Sequence, residues 1–193
     1  MSQPRKFWMR WRVRLGYPVA LIYWLLATPT PRAMLIGGVI AGLGLIVRGI
    51  AAGYLRKDQQ LAIAGPYALS RNPLYLGSSF LAVGFAIAGH SWAAGTLILV
   101  YFGVFYYAVM RNEEQDLRVR FEGAFESYAA RVPLFFPFIF HPPHQLPAAD
   151  AGAEQAFSWE LYRRNREYRA LLGTIGALGA VGLRIWVRAR FGY

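Results

Sequence analysis

Two short polar segments stand at the ends of one long apolar run, and both carry side chains that could bind a charged ligand. The first contains Arg71 and Asn72, and the second contains Glu113 and Glu114. The apolar run between them, residues 74–110, is interrupted once near its middle, which predicts two helices in a hairpin. Because both ends of a membrane hairpin lie on the same side, a guanidinium, an amide and two carboxylates would meet at one membrane face. Such a set of groups suits a zwitterionic ligand.

The composition is that of a membrane protein. Hydrophobic residues make up 56% and charged residues 16% of the chain, whereas soluble domains are about 25% charged. A membrane-spanning helix needs about 20 mostly apolar residues. Five apolar blocks approach this length: 15–28, 33–54, 74–89, 92–110 and 170–187. The second and fourth are long enough, and the other three need flanking residues to complete a span. The sequence therefore predicts an all-α, polytopic integral membrane protein with about five transmembrane helices.

The net charge of +11 could indicate a nucleic-acid-binding protein, but the placement of the basic residues indicates a membrane topology. They lie ahead of the first block, between the second and third, and after the fourth, whereas the outer turns hold only Arg32. This asymmetry follows the positive-inside rule. We therefore expect a multi-pass protein of the cell membrane with a cytoplasmic N-terminus and no nucleic-acid partner.

Metal binding is not predicted. The chain has no cysteine, which excludes thiolate ligands and a thiolate nucleophile. His141 and His144 are separated by two prolines, so they lack helical spacing, and no further ligands are near them in the sequence.

Glycines predict close helix packing in two of the blocks. The second block contains several small residues, and small residues four apart let helices approach closely in lipid. They are Gly38 and Gly42, together with Gly37, Ala41, Gly44, Gly49 and Gly53. In the last block, glycines recur every third residue from Gly173 to Gly182, which predicts a second closely packed helix.

Pro73 predicts the start of the third helix. Proline moves the preceding residue, Asn72, away from the α region, and it is well tolerated at the first helical position. The backbone N–H groups near Leu74 and Tyr75 would then point toward the cytoplasmic headgroups, where a helix N-terminus favours an anion. The Arg71 side chain would add a full positive charge to that anion site.

S-Adenosylmethionine carries the groups that this site could bind. Arg71 and the N–H groups after the proline suit its carboxylate, and Glu113 or Glu114 suits its ammonium group or ribose hydroxyls. Neighbouring helical residues face different directions, so one glutamate could bind the ligand while the other pairs with an arginine such as Arg111. The alternative is a pair of solvated glutamates at a helix end.

Methyl transfer from such a cofactor depends mainly on positioning the reactants. A carboxylate acceptor needs no base, whereas an amine or a phenol needs one, and Glu113, Glu114, Tyr106 and Tyr107 are candidates. Arg48 lies within the second apolar block. Its side chain could extend to the cytoplasmic interface, or it could point into a polar pocket.

Residues 61–77 and 111–137 resemble the signature of the membrane methyltransferases that include isoprenylcysteine carboxyl methyltransferases and phospholipid methyltransferases. The matching elements are Gly65-Pro66-Tyr67, Arg71-Asn72-Pro73, Tyr75, Gly77, Glu113-Glu114, Leu117, Phe121, Tyr128, Val132-Pro133 and Pro137. The resemblance implies a helical membrane enzyme that uses S-adenosylmethionine in a cytoplasmic-side pocket. It also implies a lipophilic acceptor that enters from the bilayer, with Arg48 near its polar end.

The resemblance assigns site residues by position. It implies that the cofactor is bound by Gly65, Pro66, Tyr67, Arg71, Asn72, Pro73, Tyr75, Glu113 and Glu114. Arg71, Glu113 and Glu114 are also the candidate catalytic residues, and the candidate substrate contacts are Arg48, Tyr106 and Tyr107. The chain departs from the signature at three positions: Asn72 replaces the usual histidine, Glu122 replaces the glycine that usually follows the phenylalanine, and Phe125 stands at a second tyrosine position.

We expect one methyltransferase domain over residues 1–193. Its signature-bearing core would be 48–140, followed by a linker at 141–157 and a basic segment with a hydrophobic helix at 158–193. We expect the protein to lie among membrane lipids and to take a lipophilic small molecule as its substrate. Two alternatives stay open: a nicotinamide-dependent membrane reductase similar to the sterol reductases, and a non-enzymatic membrane protein that binds or assembles other molecules.

Overall fold

A computed structural model describes residues 3–56, 59–136 and 156–191, with backbone only for residues 3–10, 12 and 13. These ranges form a short 3-10 helix, Gly65–Ala68, and the α-helices α1 (Gln3–Leu26), α2 (Pro31–Tyr54), α3 (Pro73–Ala88), α4 (Trp92–Arg131), α5 (Trp159–Arg164) and α6 (Tyr168–Phe191). The two histidines flanking the prolines, and most of the expected linker, lie outside the described residues.

The described chain is an all-α integral membrane protein, as predicted. Three of its helices, α2, α4 and α6, are long and apolar enough to span a membrane. Two shorter apolar helical stretches, Arg14–Leu26 and Pro73–Ala88, accompany them. The last helix meets the length criterion because it extends beyond the apolar block at both ends.

Prolines and one small polar turn set helix boundaries, including the start of α3 at Pro73 that the sequence predicts. Pro31 and Pro73 are the first residues of α2 and α3, where the missing N–H of proline leaves no bond unmade. The turn between α3 and α4 contains His90 at a φ of 46°, in the left-handed region where histidine is enriched. Helix α4 ends at Arg131, just ahead of Pro133.

The chain divides into two compact units. The first comprises residues 1–44, 79–109 and 170–193, and the second comprises residues 45–78 and 110–169. In the first unit, the Tyr23 hydroxyl donates to the carbonyl oxygen of Phe85 at 2.6 Å. Tyr23 also forms a buried apolar cluster with Ala94 and Val181.

Close packing in the first unit uses two of the small residues that the sequence names in the second block. A Cβ atom added to Gly37 would lie 2.3 Å from the carbonyl oxygen of Gly84, and one added to Gly84 would lie 2.8 Å from the Ala41 nitrogen. Among the described residues, Gly38 and Gly42 have no neighbour within 4 Å of an added Cβ atom. The predicted spacing of four is therefore found at Gly37 and Ala41, and not at Gly38 and Gly42.

The prediction of close packing through the α6 glycines is wrong for most of them. Gly173, Gly176 and Gly179 have no neighbour within 4 Å of an added Cβ, and only ordinary contact with Met34, at 3.6 Å, is found at Gly182. The helix instead engages α1 in the same unit through Trp24, whose indole N–H donates to the Ala180 carbonyl oxygen at 2.8 Å.

A kink interrupts α4 in the second unit. Glu122 has a φ of 35° and a ψ of −118°, a conformation that only glycine adopts without strain. This is the position where the resembled signature has glycine. On either side of the kink, Leu117, Phe121 and Ala129 pack against a buried cluster formed by Ile63, Phe125, Tyr128 and Val132.

We predict that Gly37→Ala destabilises the protein, whereas Gly38→Ala does not. The added methyl group at Gly37 has no room against the backbone of Gly84, and overpacking of this kind costs about 1–3 kcal/mol. Thermal unfolding of the detergent-purified variants measures the difference. Equal unfolding temperatures for the two variants would contradict the packing described here.

We also predict that Glu122→Gly raises the stability of the protein by about 1 kcal/mol, because glycine removes a backbone strain of roughly 1–3 kcal/mol. Ala124→Gly is the matched control in the regular, exposed part of the same helix. It should lower the stability by about 1 kcal/mol. Thermal unfolding again provides the measurement, and a loss in Glu122→Gly as large as in the control would refute a strained backbone.

Candidate functional site

A buried ion pair joins the two polar segments in the second unit. Arg71 Nη1 donates to Glu114 Oε1, and Arg111 Nη1 donates to the other carboxylate oxygen at 2.9 Å. The side chains of Arg71 and Glu114 are only 14% and 9% exposed. The Arg71 guanidinium also lies over the Phe125 ring, 6.0 Å from its centroid. The cluster of two arginines and one glutamate carries a net charge of +1.

The Ser70-Arg71-Asn72 turn is fixed by backbone carbonyl groups that follow α4. The Arg71 N–H donates to the Pro133 carbonyl oxygen at 2.9 Å. The Asn72 side-chain amide donates to the Leu134 carbonyl oxygen at 3.0 Å. The Ser70 hydroxyl donates to the carbonyl oxygen of Phe135 at 2.7 Å. Asn72, which replaces the usual histidine, therefore has a structural contact here, and its binding of a cofactor stays a prediction.

The Tyr75 N–H group at the start of α3 is bonded within the turn, contrary to the prediction. The Tyr75 and Leu76 N–H groups both donate to the Asn72 carbonyl oxygen at 3.0 Å, and the Asn72 N–H lies 3.2 Å from the Ser70 hydroxyl oxygen. The expectation of an available N–H group at Tyr75 is wrong, because the turn ahead of Pro73 supplies its own acceptor. The positive charge at this end of α3 comes from the Arg71 side chain.

The Tyr67 hydroxyl is buried and has no hydrogen-bond partner among the described residues. The backbone of Tyr67 is bonded, since its carbonyl oxygen accepts a hydrogen bond of 2.7 Å from the Tyr128 hydroxyl. Burial raises the pKa of the Tyr67 hydroxyl far above its usual range, and Tyr128, Glu113 and Glu167 raise it further, whereas Arg48 opposes them. The group is therefore a neutral hydrogen-bond donor.

The glycine and proline of the first signature segment shape the backbone. Gly65 has a φ of 58°, and a Cβ atom there would lie 2.6 Å from the Tyr54 ring. Both facts exclude other residues at this position. Pro66 occupies the first turn of the 3-10 helix that carries Tyr67.

Arg48 lies in a polar cluster of the second unit. Its Nε atom is 2.5 Å from Glu167 Oε1, and its Nη1 atom donates to the Ser78 hydroxyl and, at 3.3 Å, to the Leu74 carbonyl oxygen. This contact favours a buried polar environment for Arg48 over simple extension to the interface. The sequence alone did not identify Glu167. An arginine within an apolar block needs a counter-charge, so the sequence indicated that Arg48 has an acidic partner. It did not indicate which residue, because the partner can lie far away in the sequence.

The structure does not place all candidate residues in one unit. Tyr106 and Tyr107 belong to the first unit, where Tyr106 stacks on Phe102 at a centroid distance of 4.3 Å and Tyr107 is exposed. All other candidates belong to the second unit. Within the described ranges, no three His, Asp or Glu side chains are grouped to hold a metal ion.

S-Adenosylmethionine is the cofactor that the resemblance implies, and the second unit has groups that fit it. Arg71 Nε is buried without a hydrogen-bond partner among the described residues, as is the Tyr67 hydroxyl. Two buried donors of this kind fit a ligand that offers carboxylate and hydroxyl oxygens. The carboxylate of Glu113 adds an acceptor for a cationic or hydroxyl group.

Comparison with known proteins finds similarity to a methyltransferase family and to two metal-resistance proteins. Residues 33–123 match the model of the phospholipid methyltransferase family. The cobalt-zinc-cadmium resistance protein CzcN of Cupriavidus metallidurans is 31% identical over 134 residues, which cover 66% of this chain and 62% of that protein. The nickel-cobalt-cadmium resistance protein NccN of Alcaligenes xylosoxydans xylosoxydans is 35% identical over 82 residues, 42% of this chain and 38% of that protein.

The chain therefore spans less than two thirds of the length of either relative. No solved structure matches it. The range matched by the family model contains Arg48, Arg71 and both glutamates of the second segment. Over residues 33–123, the chain is therefore similar to the phospholipid methyltransferase family of membrane methyltransferases.

Proposed function

We propose that the protein is an S-adenosylmethionine-dependent methyltransferase of the cell membrane, with a cytoplasmic N-terminus, that acts on a small lipophilic or isoprenoid-like acceptor. The observation that carries the proposal is the buried contact between Arg71 and Glu114. It brings together the two signature segments, which are 43 residues apart in the chain. The match of residues 33–123 to a methyltransferase family model supports the reaction class.

The residues of the second unit have distinct functions in this proposal. The arginine pair around Glu114, with its net positive charge, attracts the cofactor carboxylate, and Arg71 Nε is an available donor to it. Glu113 accepts hydrogen bonds from the cofactor ammonium group or ribose. The Tyr67 hydroxyl donates to an oxygen or nitrogen of the same ligand. When bound, S-adenosylmethionine supplies an activated methyl group on a sulfonium ion.

Catalysis then consists mainly of orientation. The residues hold the methyl donor in line with the acceptor atom and exclude water, which can account for much of the rate of a methyl transfer. A carboxylate acceptor requires no proton transfer, whereas for an amine or a phenol the candidate base is Glu113. Arg48 stands near the polar end of the acceptor, with its charge balanced by Glu167.

The first experiment is a calorimetric titration of S-adenosylhomocysteine, and separately of a reduced nicotinamide cofactor, into the full chain in detergent. Micromolar binding of S-adenosylhomocysteine alone is the expected result. Binding of the nicotinamide cofactor would favour a reductase, and binding of neither would favour the non-enzymatic alternative. A methylation screen of lipid extracts with labelled S-adenosylmethionine then identifies the acceptor.

The two glutamates should differ when each is changed to glutamine. Glu114→Gln breaks contacts with two arginines and should lower the stability by about 3 kcal/mol, the cost of a buried charge without its partner. Glu113→Gln leaves the two contacts of Glu114 in place but removes a charged ligand contact, which should weaken S-adenosylhomocysteine binding by about tenfold or more. Thermal unfolding and calorimetry separate the effects, and unchanged affinity in Glu113→Gln would remove Glu113 from the proposed site.

Tyr67→Phe should weaken S-adenosylhomocysteine binding without lowering stability, because the hydroxyl that it removes has no partner among the described residues. Tyr128→Phe is the matched control, because it removes the same hydroxyl group from a tyrosine that contacts Tyr67. It loses the bond to the Tyr67 carbonyl oxygen and should lower the stability by about 1–3 kcal/mol. The reverse pattern, with a stability loss in Tyr67→Phe and unchanged affinity, would show that this hydroxyl is structural.

A further inference from the structure

A basic segment outside the range matched by the family is fixed to the end of α2. Residues 156–167, here named the C-terminal strap, belong to the second unit, as does the end of α2. The Asn165 side-chain amide donates to the carbonyl oxygens of Ala52 and Leu55 at 2.9 and 2.8 Å. The last carbonyl groups of a helix have no partner within it, so these bonds satisfy α2 and hold the strap in place.

Aromatic side chains fix the strap to α2 and leave one indole ring exposed. A Cβ atom added to Gly53 would lie 2.2 Å from the Phe157 ring, and one added to Gly49 would lie 3.6 Å from the Tyr162 ring. Trp159 contacts both aromatic rings, with centroid distances of 5.0 Å to Phe157 and 5.8 Å to Tyr162, and it is itself 70% exposed. Tryptophan is enriched at the membrane–water interface, and this exposed indole fits such a place.

The exposed surface of the strap is strongly basic. Four arginines of the strap and the first turn of α6 are exposed and form no ion pair with the described residues: Arg163, Arg164, Arg166 and Arg169. Residues 156–169 contain two glutamates, and Glu167 is already paired with Arg48. Within this stretch, Glu160 alone is left to offset the four arginines, so this surface attracts anions.

The backbone at Arg166 favours a different residue. Its φ of 55° lies in the left-handed region, which is uncommon for residues other than glycine. Arg166 follows Asn165, the C-cap of α5, and glycine is the usual residue after a C-cap. An arginine held there at a cost in backbone strain indicates that its charged side chain has a use.

The position of these arginines in a membrane protein identifies the anion. The strap is bonded to the end of α2 and continues directly into α6, and both helices are candidate membrane spans. Residues next to the end of a span lie at the level of the lipid headgroups. A cluster of about four or more basic residues at that level attracts anionic lipids, and each residue strengthens the attraction by about fivefold. Phosphate oxygens also suit the fork of donors on a guanidinium.

We propose that the C-terminal strap, together with Arg169, is a binding site for anionic phospholipids. Its arginines bind the lipid phosphate and discriminate by net charge, so that phosphatidylglycerol is preferred over the zwitterionic phosphatidylcholine. Trp159 lies beside the bound lipid at the boundary between headgroups and acyl chains. The proposal concerns the exposed surface of the strap, and it does not depend on the proposed methyl transfer.

Native mass spectrometry of the full chain tests the proposal. The protein in detergent is equilibrated with equal amounts of phosphatidylglycerol and phosphatidylcholine, and the ratio of the two lipids retained on the protein is measured. The wild type should retain phosphatidylglycerol in clear excess, and Arg164→Gln should lower the ratio by about fivefold. Arg32→Gln is the control of equal charge change, because Arg32 is exposed and has no basic neighbour at the start of α2. It should keep the ratio of the wild type.

Arg166→Gly distinguishes lipid binding from a structural role. This substitution removes a charge but relaxes the backbone conformation at its position. The lipid ratio should fall as in Arg164→Gln, whereas the unfolding temperature in detergent without added lipid should stay equal or rise. A lower unfolding temperature with an unchanged lipid ratio would make this arginine a structural residue and overturn the proposal.

Two further outcomes would also overturn the proposal. Equal retention of both lipids by the wild type would show that the strap does not select lipids by charge. An equal fall of the ratio in Arg32→Gln and Arg164→Gln would show that the preference comes from the net charge of the protein and not from the strap.

Discussion

A guanidinium that leaves water needs a carboxylate or several hydrogen-bond acceptors, and this requirement organises the second unit. Arg71 meets Glu114, 43 residues further along the chain, and Arg48 meets Glu167, 119 residues away. Buried pairs of this kind contribute little net stability, because desolvation offsets the attraction, but the loss of one partner is costly. Their effect is therefore to specify which segments meet. The signature segments and the C-terminal strap are arranged around these two contacts.

The resulting arrangement explains how a site made of small, distant segments can be held in place. The turn at Ser70-Arg71-Asn72 is bonded to carbonyl groups after α4, and the Tyr128 hydroxyl bonds the Tyr67 backbone. These contacts satisfy the backbone while leaving the Tyr67 hydroxyl and Arg71 Nε without partners among the described residues. Rigid backbone with buried, available donors is the arrangement that a binding site for a polar ligand needs.

The parts of the fold that local chemistry decides could be predicted from the sequence. Pro73 starts a helix, and Glu114 pairs with Arg111 because three residues separate them on a helix. Properties that depend on a neighbouring element could not be predicted. Gly37, and not Gly38, contacts Gly84, since glycine spacing does not reveal which helix face meets a partner. Arg48 finds its counter-charge in the strap, in a segment without any signature.

The Arg48–Glu167 contact also has a consequence for the order in which the protein is made. A chain is synthesised from its N-terminus, so α2 enters the bilayer with Arg48 long before Glu167 exists. During that interval, the arginine depends on water and lipid headgroups for compensation. The polar cluster around Arg48 can be completed only when residues 156–167, which are translated after α3 and α4, return to α2. Maturation of this site is thus a late event that follows membrane insertion of the earlier helices.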